Sequence, residues 1–149
     1  MAHDFPEITA YGPALRFALE AEQACADFAA AAGVPAPTKE WQDKLEEIVC
    51  THDDRVQKLM AQQGQLGDRA SAPAGTLKGS PYLGVLDAEP ATTWPAAVEQ
   101  LIRAEEDAAR YHDEFAVQCA DTLELRARLF TKSAQQDRAY AAELRDLLG

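Results

Sequence analysis

Residues 45–60, LEEIVCTHDDRVQKLM, carry the pattern that decides the fold. Their apolar residues recur every three or four positions, which predicts an amphipathic helix with one apolar face. Those apolar residues are Leu45, Ile48, Val49, Val56, Leu59 and Met60. His52 lies on the same face, although a titratable side chain is uncommon in the middle of a buried surface. His52 is therefore the first candidate functional residue.

The composition is typical of one acidic globular domain. The chain has 149 residues, enough to bury a sizeable core, and its formal net charge is -11 at pH 7. An acidic chain without a basic patch argues against binding to nucleic acid or to an anionic membrane. The chain has no run of about 18 apolar residues that could span a bilayer, and residues 1–7 lack the pattern of a secretory signal. We therefore expect a cytoplasmic location and no contact with a membrane.

The three cysteines, Cys25, Cys50 and Cys119, are far apart in the sequence. An odd number without a Cys-x-x-Cys pair indicates neither a disulfide framework nor a cysteine-based zinc motif. Each cysteine lies on or beside a predicted apolar face. We therefore expect all three to be small buried apolar residues.

Four long helices are predicted within a single domain that spans residues 1–149. The predicted bounds are 13–32 for helix A, 39–63 for helix B, 94–120 for helix C and 122–148 for helix D. Residues 1–12 are predicted to be an irregular lead-in. Residues 64–93 contain five glycines and three prolines, so they are predicted to be a long crossover between two helical hairpins. Within that crossover, residues 81–86, PYLGVL, could pack against the helices.

The helix ends carry recognisable signals. Gly33 and Pro35 are expected to stop helix A. Thr38 is expected to cap the N-terminus of helix B with its hydroxyl group. Asp121 and Glu124 have the spacing of a capping box at the start of helix D.

Each predicted helix has a polar or titratable residue on its apolar face. Counted from the turn of each hairpin, Glu22 and Val49 lie at one height, and Glu105 and Asp137 lie within one turn of each other. His52 is one turn beyond Val49 on the same face. Burying several carboxylates is costly unless they are protonated, paired or bound to a cation. This cost is the physical reason to consider a metal site.

The layout of helices A and C resembles the ferritin-like superfamily, and most closely its rubrerythrin-type members. Those bundles place one Glu on each of two helices and a Glu-x-x-His motif on each of the other two, around two irons. Residues 18–28, ALEAEQACADF, are similar to the helix A pattern, with Glu22 at the ligand position. Residues 104–111, AEEDAARY, are similar to the helix C pattern, with Glu105 at the ligand position.

Helices B and D match the same family in part. Helix B keeps His52 but has Val49 where the family has a bridging Glu. Helix D has Asp137 in place of Glu and Tyr140 in place of His. The resemblance therefore implies an incomplete di-iron motif. Tyr140 could be a ligand, a hydrogen-bond partner or a core residue.

The resemblance implies an all-α fold, a ferritin-like antiparallel four-helix bundle made of two helical hairpins and a long crossover. With the motif incomplete, the site could still bind a single ion held by Glu22, His52 and Asp137, with Glu105 nearby. One imidazole and several carboxylates suit Fe(II), Mn(II) or Zn(II), and iron or manganese is the expected metal. The implied function is redox chemistry, peroxide handling or iron handling by a homodimer or larger homo-oligomer.

A second hypothesis is a metal-free ferritin-like bundle that acts as a partner-binding, accessory or small-molecule-binding protein. Val49 and Tyr140 favour it, because both make the site less able to bind a metal. In that case Glu22 and Glu105 could pair with Arg126 or share a proton.

The histidines also have a structural interpretation. His52 could be a core histidine whose hydrogen bonds are satisfied by neighbouring side chains. His112 lies two turns from Glu105, about 10 Å along the helix axis, so it is predicted to be a core or interface residue. Whether the chain is an enzyme, and on which substrate, stays open at this stage.

Overall fold

The computed structural model describes residues 8–64, 73–77, 88–119 and 124–148. It contains four long helices in those ranges: α1 (Tyr11–Gly33), α2 (Lys39–Gly64), α3 (Trp94–Cys119) and α4 (Glu124–Leu148). It also contains two short strands, β1 (Ile8–Ala10) and β2 (Pro73–Leu77). The prediction of an all-α chain with four helices is confirmed, and the contacts between helices are compatible with a bundle.

The start of α2 follows from the hydroxyl group of Thr38. Its Oγ1 accepts a hydrogen bond from the backbone nitrogen of Trp41 at 3.3 Å, so the predicted N-cap is confirmed. The first hairpin turns between Gly33, where α1 ends, and Lys39. The boundary between α3 and α4, with the predicted capping box at Asp121, lies outside the described residues.

The prediction of an irregular lead-in over residues 1–12 is wrong for its last five residues. Strand β1 pairs antiparallel with β2, which lies inside the predicted crossover. Helix α1 then begins at Tyr11, ahead of Pro13. Proline in the first helical turn needs no backbone hydrogen bond, so Pro13 does not prevent this earlier start. Residues 81–86 lie outside the described residues.

The apolar core lies between α1 and its two closest neighbours, α2 and α3, and extends along α4. Buried alanines line much of α1 and α3, and such small side chains let helix backbones approach closely. At one end of the core Phe115 stacks on Phe130 with ring centroids 4.2 Å apart. In the parts of the chain that the structure describes, no helix is both long and apolar enough to span a membrane.

Candidate metal centre

The four residues predicted to form a metal site come together in the interior of the helices. Glu22, His52, Glu105 and Asp137 come from α1, α2, α3 and α4, and each is at most 1% exposed. His52 lies between two of the carboxylates. Its Nδ1 is 2.5 Å from Oε2 of Glu22, and its Nε2 is 2.6 Å from Oε1 of Glu105. The four side chains therefore lie in the interior, as the periodicity of the sequence predicts.

His52 is a cation in this environment. Burial by itself lowers the pKa of its imidazole, but the charges and hydrogen bonds of Glu105 and Glu22 outweigh burial and raise the pKa to about 10. Both ring nitrogens therefore donate hydrogen bonds at neutral pH. Burial likewise tends to raise the pKa of Glu22, but hydrogen bonds from His112 and His52 hold it well below its ordinary range.

His112 belongs to the same cluster. It is buried, which agrees with the core position predicted for it, but its contacts are polar. Its Nε2 donates to Oε1 of Glu22 at 2.7 Å and lies 3.6 Å from Oδ2 of Asp137. His112 lies too far from Glu105 along α3 for the two side chains to bind the same ion. It can still contact Glu22, because α1 runs antiparallel to α3. The signal in the sequence is the seven-residue spacing from Glu105, which keeps both side chains on one face.

Arg55 is the cluster member that the sequence reasoning missed. Its Nη1 donates to Oδ1 of Asp137 at 2.5 Å and to Oε1 of Glu22 at 3.4 Å. Its Nη2 donates to the backbone oxygen of Ser133 at 3.5 Å. Arg55 pairs with Glu22, and the pairing with Arg126 suggested by the sequence stays a prediction. The side chain of Arg126 lies outside the described part of the chain.

Asp137 is a carboxyl group of the cluster whose pKa is raised. Burial and the negative charge of Glu105 raise its pKa to about 7, although Arg55 acts in the opposite direction. Near neutral pH the protonated and ionised forms of Asp137 are therefore both populated. A bound cation would favour the ionised form for the same reason that Arg55 does.

Val49 and Tyr140, which stand where the ferritin-like pattern has metal ligands, have different surroundings. The hydroxyl group of Tyr140 lies 2.8 Å from Oγ1 of Thr51, so Tyr140 is a hydrogen-bond partner between α4 and α2. Val49 is half-buried and packs against the apolar core. Cys25 is buried as predicted, but the same prediction is wrong for Cys50, which is exposed.

Three buried side-chain atoms of the cluster lack a hydrogen-bond partner among the described residues: Oε2 of Glu105, Nδ1 of His112 and Oδ2 of Asp137. Leaving a buried polar atom unpaired is costly, so such atoms often mark a ligand position. Donor atoms of Glu22, His112 and Asp137 also lie within 4.8 Å of one another. Small side-chain movements would bring them around one ion.

A cavity of about 580 Å³ connects this cluster with the protein surface between α2 and α4. Glu22, His112 and Arg55 lie at its inner end, and Phe130 forms part of its wall. Leu129, which is 56% exposed, lines its outer part. The cavity therefore gives ions and small molecules a route to Glu22 and His112.

Comparisons with known protein families, with curated proteins and with solved structures found no match. They give no support to the ferritin-like resemblance, which rests on the sequence patterns alone. The structure itself provides a four-helix scaffold with buried carboxylate and imidazole groups that could hold a metal ion.

Proposed function

We propose that this protein is a ferritin-like metal-binding protein that holds one divalent ion, iron or manganese, through Glu22, His112 and Asp137. The observation that carries the proposal is the set of three donor atoms within 4.8 Å of one another, of which those of Glu22 and His112 belong to residues that line the inner end of the cavity. Two of these residues have a buried atom without a hydrogen-bond partner. His52 and Glu105 are also predicted from the sequence as metal-site residues. His52 is hydrogen-bonded to Glu22 of this set and to Glu105.

The donor set fits the proposed metals. Two carboxylates and one imidazole suit Fe(II), Mn(II) and Zn(II), which accept mixed oxygen and nitrogen ligands. His52 donates to Oε2 of Glu22 and so fixes the orientation of that carboxylate toward His112. The guanidinium group of Arg55 forms ion pairs with both carboxylates, Glu22 and Asp137. The adjoining cavity gives the Arg55 side chain room to move when an ion binds.

A redox-active ion at this position would supply electron transfer for peroxide handling or iron handling. The cavity supports this part of the proposal, because a small oxidant could reach the inner end without unfolding the helices. The protein residues would hold the carboxylates in place around the ion. Assembly into homodimers or larger homo-oligomers and a cytoplasmic location are further parts of the proposal that follow from the resemblance.

Elemental analysis of the purified protein tests the proposal directly. The untagged protein is expressed with iron and manganese supplied, and we expect close to one metal ion per chain. Glu22→Gln and His112→Gln should each reduce this content at least tenfold, while exposed Glu99→Gln should leave it unchanged. The proposal is wrong if the wild-type protein binds neither metal, or if both cluster variants retain it.

The pairing inside the cluster favours a second candidate function, a metal-free bundle. Arg55 and His52 already place positive charge beside the carboxylates, and Val49 and Tyr140 are poor substitutes for the family ligands. Such a protein would bind a partner or a small molecule, for which the cavity is large enough. An unchanged melting temperature in chelator, together with no bound metal, would support this candidate.

A further inference from the structure

Cys25 is placed beside residues that the proposed iron or manganese site does not use as ligands. Its thiol, one ring nitrogen of His52 and one carboxylate oxygen of Glu105 lie within 4.8 Å of one another. All three residues are completely buried. In tetrahedral zinc sites the ligand atoms are about 3 to 4 Å apart, so adjustments of about 1 Å would be enough.

The hydrogen bonds of His52 favour a particular orientation at this position. Its Nδ1 faces Glu22, which leaves Nε2 directed at Glu105. Metal-binding histidines commonly donate one ring N–H to a carboxylate and bind the ion with the other nitrogen. Oε2 of Glu105 is buried and has no hydrogen-bond partner among the described residues, so it is available to an ion.

We propose that Cys25, Nε2 of His52 and Glu105 form a second metal site, with a cysteine ligand, that takes a zinc-class divalent ion. Sulfur, nitrogen and oxygen donors together suit Zn(II) and its spectroscopic substitute Co(II). In this arrangement Glu22 is an orienting residue that accepts the Nδ1–H bond. The inference does not require an ion at Glu22, His112 and Asp137.

The exchange of protons for metal leaves the charge of the interior unchanged. One proton leaves the thiol of Cys25 and one leaves Nε2 of His52 as an ion of charge +2 enters. Because the net charge stays the same, the ion adds little to the cost of burying this cluster.

The surroundings distinguish this site from the proposed iron or manganese site. Cys25 belongs to the apolar core cluster with Phe28 and Ile48, and the residues that line the cavity between α2 and α4 do not include it. A metal ion that binds the folded chain contributes its binding free energy to folding. We therefore expect this ion to stabilise the bundle.

Cobalt titration of the full-length reduced protein tests the inference. A thiolate bound to Co(II) gives a charge-transfer band in the near ultraviolet, which carboxylate and imidazole ligands do not give. At saturation we expect the amplitude of this band to correspond to one thiolate-bound cobalt ion per chain. Cys25→Ser should abolish the band, whereas the exposed Cys50→Ser is the matched control and should retain it.

The double variant Cys50→Ser/Cys119→Ser makes the result independent of whether Cys25→Ser folds. The chain has three cysteines, so this variant retains Cys25 alone. A band in this variant, and its persistence in His112→Gln, would support the inference even if the iron or manganese proposal failed. Cobalt binding without the band would overturn the inference, and loss of that binding in His112→Gln would support only the proposed function.

Discussion

The α1–α3 interface and the α2–α4 interface are built from different interactions. Between α1 and α3, the rings of Phe17 and Tyr111 pack with centroids 4.6 Å apart, among buried alanines. Between α2 and α4, contacts are polar, and the cavity separates the helices. The polar pairs are Lys44–Glu143, Thr51–Tyr140 and Arg55–Asp137. Apolar packing is therefore the more prominent in the first interface, and charge and hydrogen bonding are the more prominent in the second.

The buried cluster lies between these two interfaces and depends on both. Glu22 and Glu105 come from the closely packed helices α1 and α3. His52 and Arg55, which compensate their charge, come from α2. Helix α2 is thus held at this level by its two cations, and we expect changes to the cluster to affect the α2–α4 interface first.

Removing the central carboxylate should have the largest effect. Glu22→Ala leaves His52, His112 and Arg55 without a shared acceptor in a buried environment. Breaking a buried ion pair by removing one partner costs about 3–5 kcal/mol, and we expect a loss of this size in the free energy of unfolding. Urea denaturation in the presence of chelator measures it. The exposed neighbour Gln23→Ala is the control, and equal stability of the two variants would contradict the prediction.

Truncating the apolar side of the bundle should have the next largest effect. Leu101→Ala removes a completely buried side chain of the core, and we expect a loss of about 3 kcal/mol from lost transfer energy and the remaining space. Leu129→Ala, at the exposed rim of the cavity, is the matched control and should cost far less. Thermal and urea denaturation of the pair measure the difference. Similar losses in both variants would show that the cavity rim is more closely packed than the structure indicates.

The fold follows from the sequence to a large extent, because the three-to-four spacing of apolar residues reports directly on which face of a helix is buried. The same spacing places Glu22, His52, Glu105 and Asp137 in the interior. The pairing of β1 with β2 has no local signal, since its strands are more than sixty residues apart in the sequence.

Arg55 shows why the composition of the cluster could not be read in full. It lies three residues after His52, which is a same-face spacing. However, it follows Asp53 and Asp54, and such a charged run is typical of a solvated surface. Only the position of α4 reveals that its guanidinium reaches Asp137. Cys50 shows the opposite error, because it is predicted to be buried but is exposed. A small apolar residue at the edge of a helix face can lie on either the buried or the exposed side.

Raising the pH should weaken the cluster by a smaller amount. The folded pKa of His52 is about 10, above the value of about 6.5 for an unfolded chain. Its contribution to stability is therefore complete below about pH 6.5 and is lost as the pH rises toward 10. Between about pH 7 and pH 9 we expect a loss of roughly 2 kcal/mol in the free energy of unfolding.

The contribution of Glu22 to stability has the opposite pH dependence and is lost at acid pH. Its folded pKa is lowered, so its contribution is present above the unfolded value and is lost as the pH falls below it. Urea denaturation across the pH range measures both arms. His52→Gln should flatten the alkaline arm, and an unchanged slope in that variant would assign the alkaline loss to other groups.

Two tyrosine hydroxyl groups provide the smallest and most closely matched test of the two interfaces. The hydroxyl group of Tyr111 donates to the backbone oxygen of Ala14 across α1–α3 at 2.8 Å. Tyr140 makes a bond of the same length with Thr51 across α2–α4. We expect Tyr111→Phe to cost about 1 kcal/mol, because its hydrogen bond is buried. Tyr140→Phe should cost less, since the half-buried Thr51 hydroxyl can bond to water instead.

The position of the amides whose hydrogen exchange changes distinguishes the two interfaces more clearly than the size of the stability loss. If the α2–α4 interface depends on its polar contacts, Tyr140→Phe should speed amide hydrogen exchange in α2 and α4 near Thr51 and Arg55. Tyr111→Phe should leave those amides unchanged, because the apolar packing of Phe17 against residue 111 remains. Equal acceleration of exchange in both variants would mean that the four helices open as one unit. In that case the α2–α4 interface would open no more easily than the α1–α3 interface. Ions would then reach the cluster through the cavity alone, without local opening of α2 and α4.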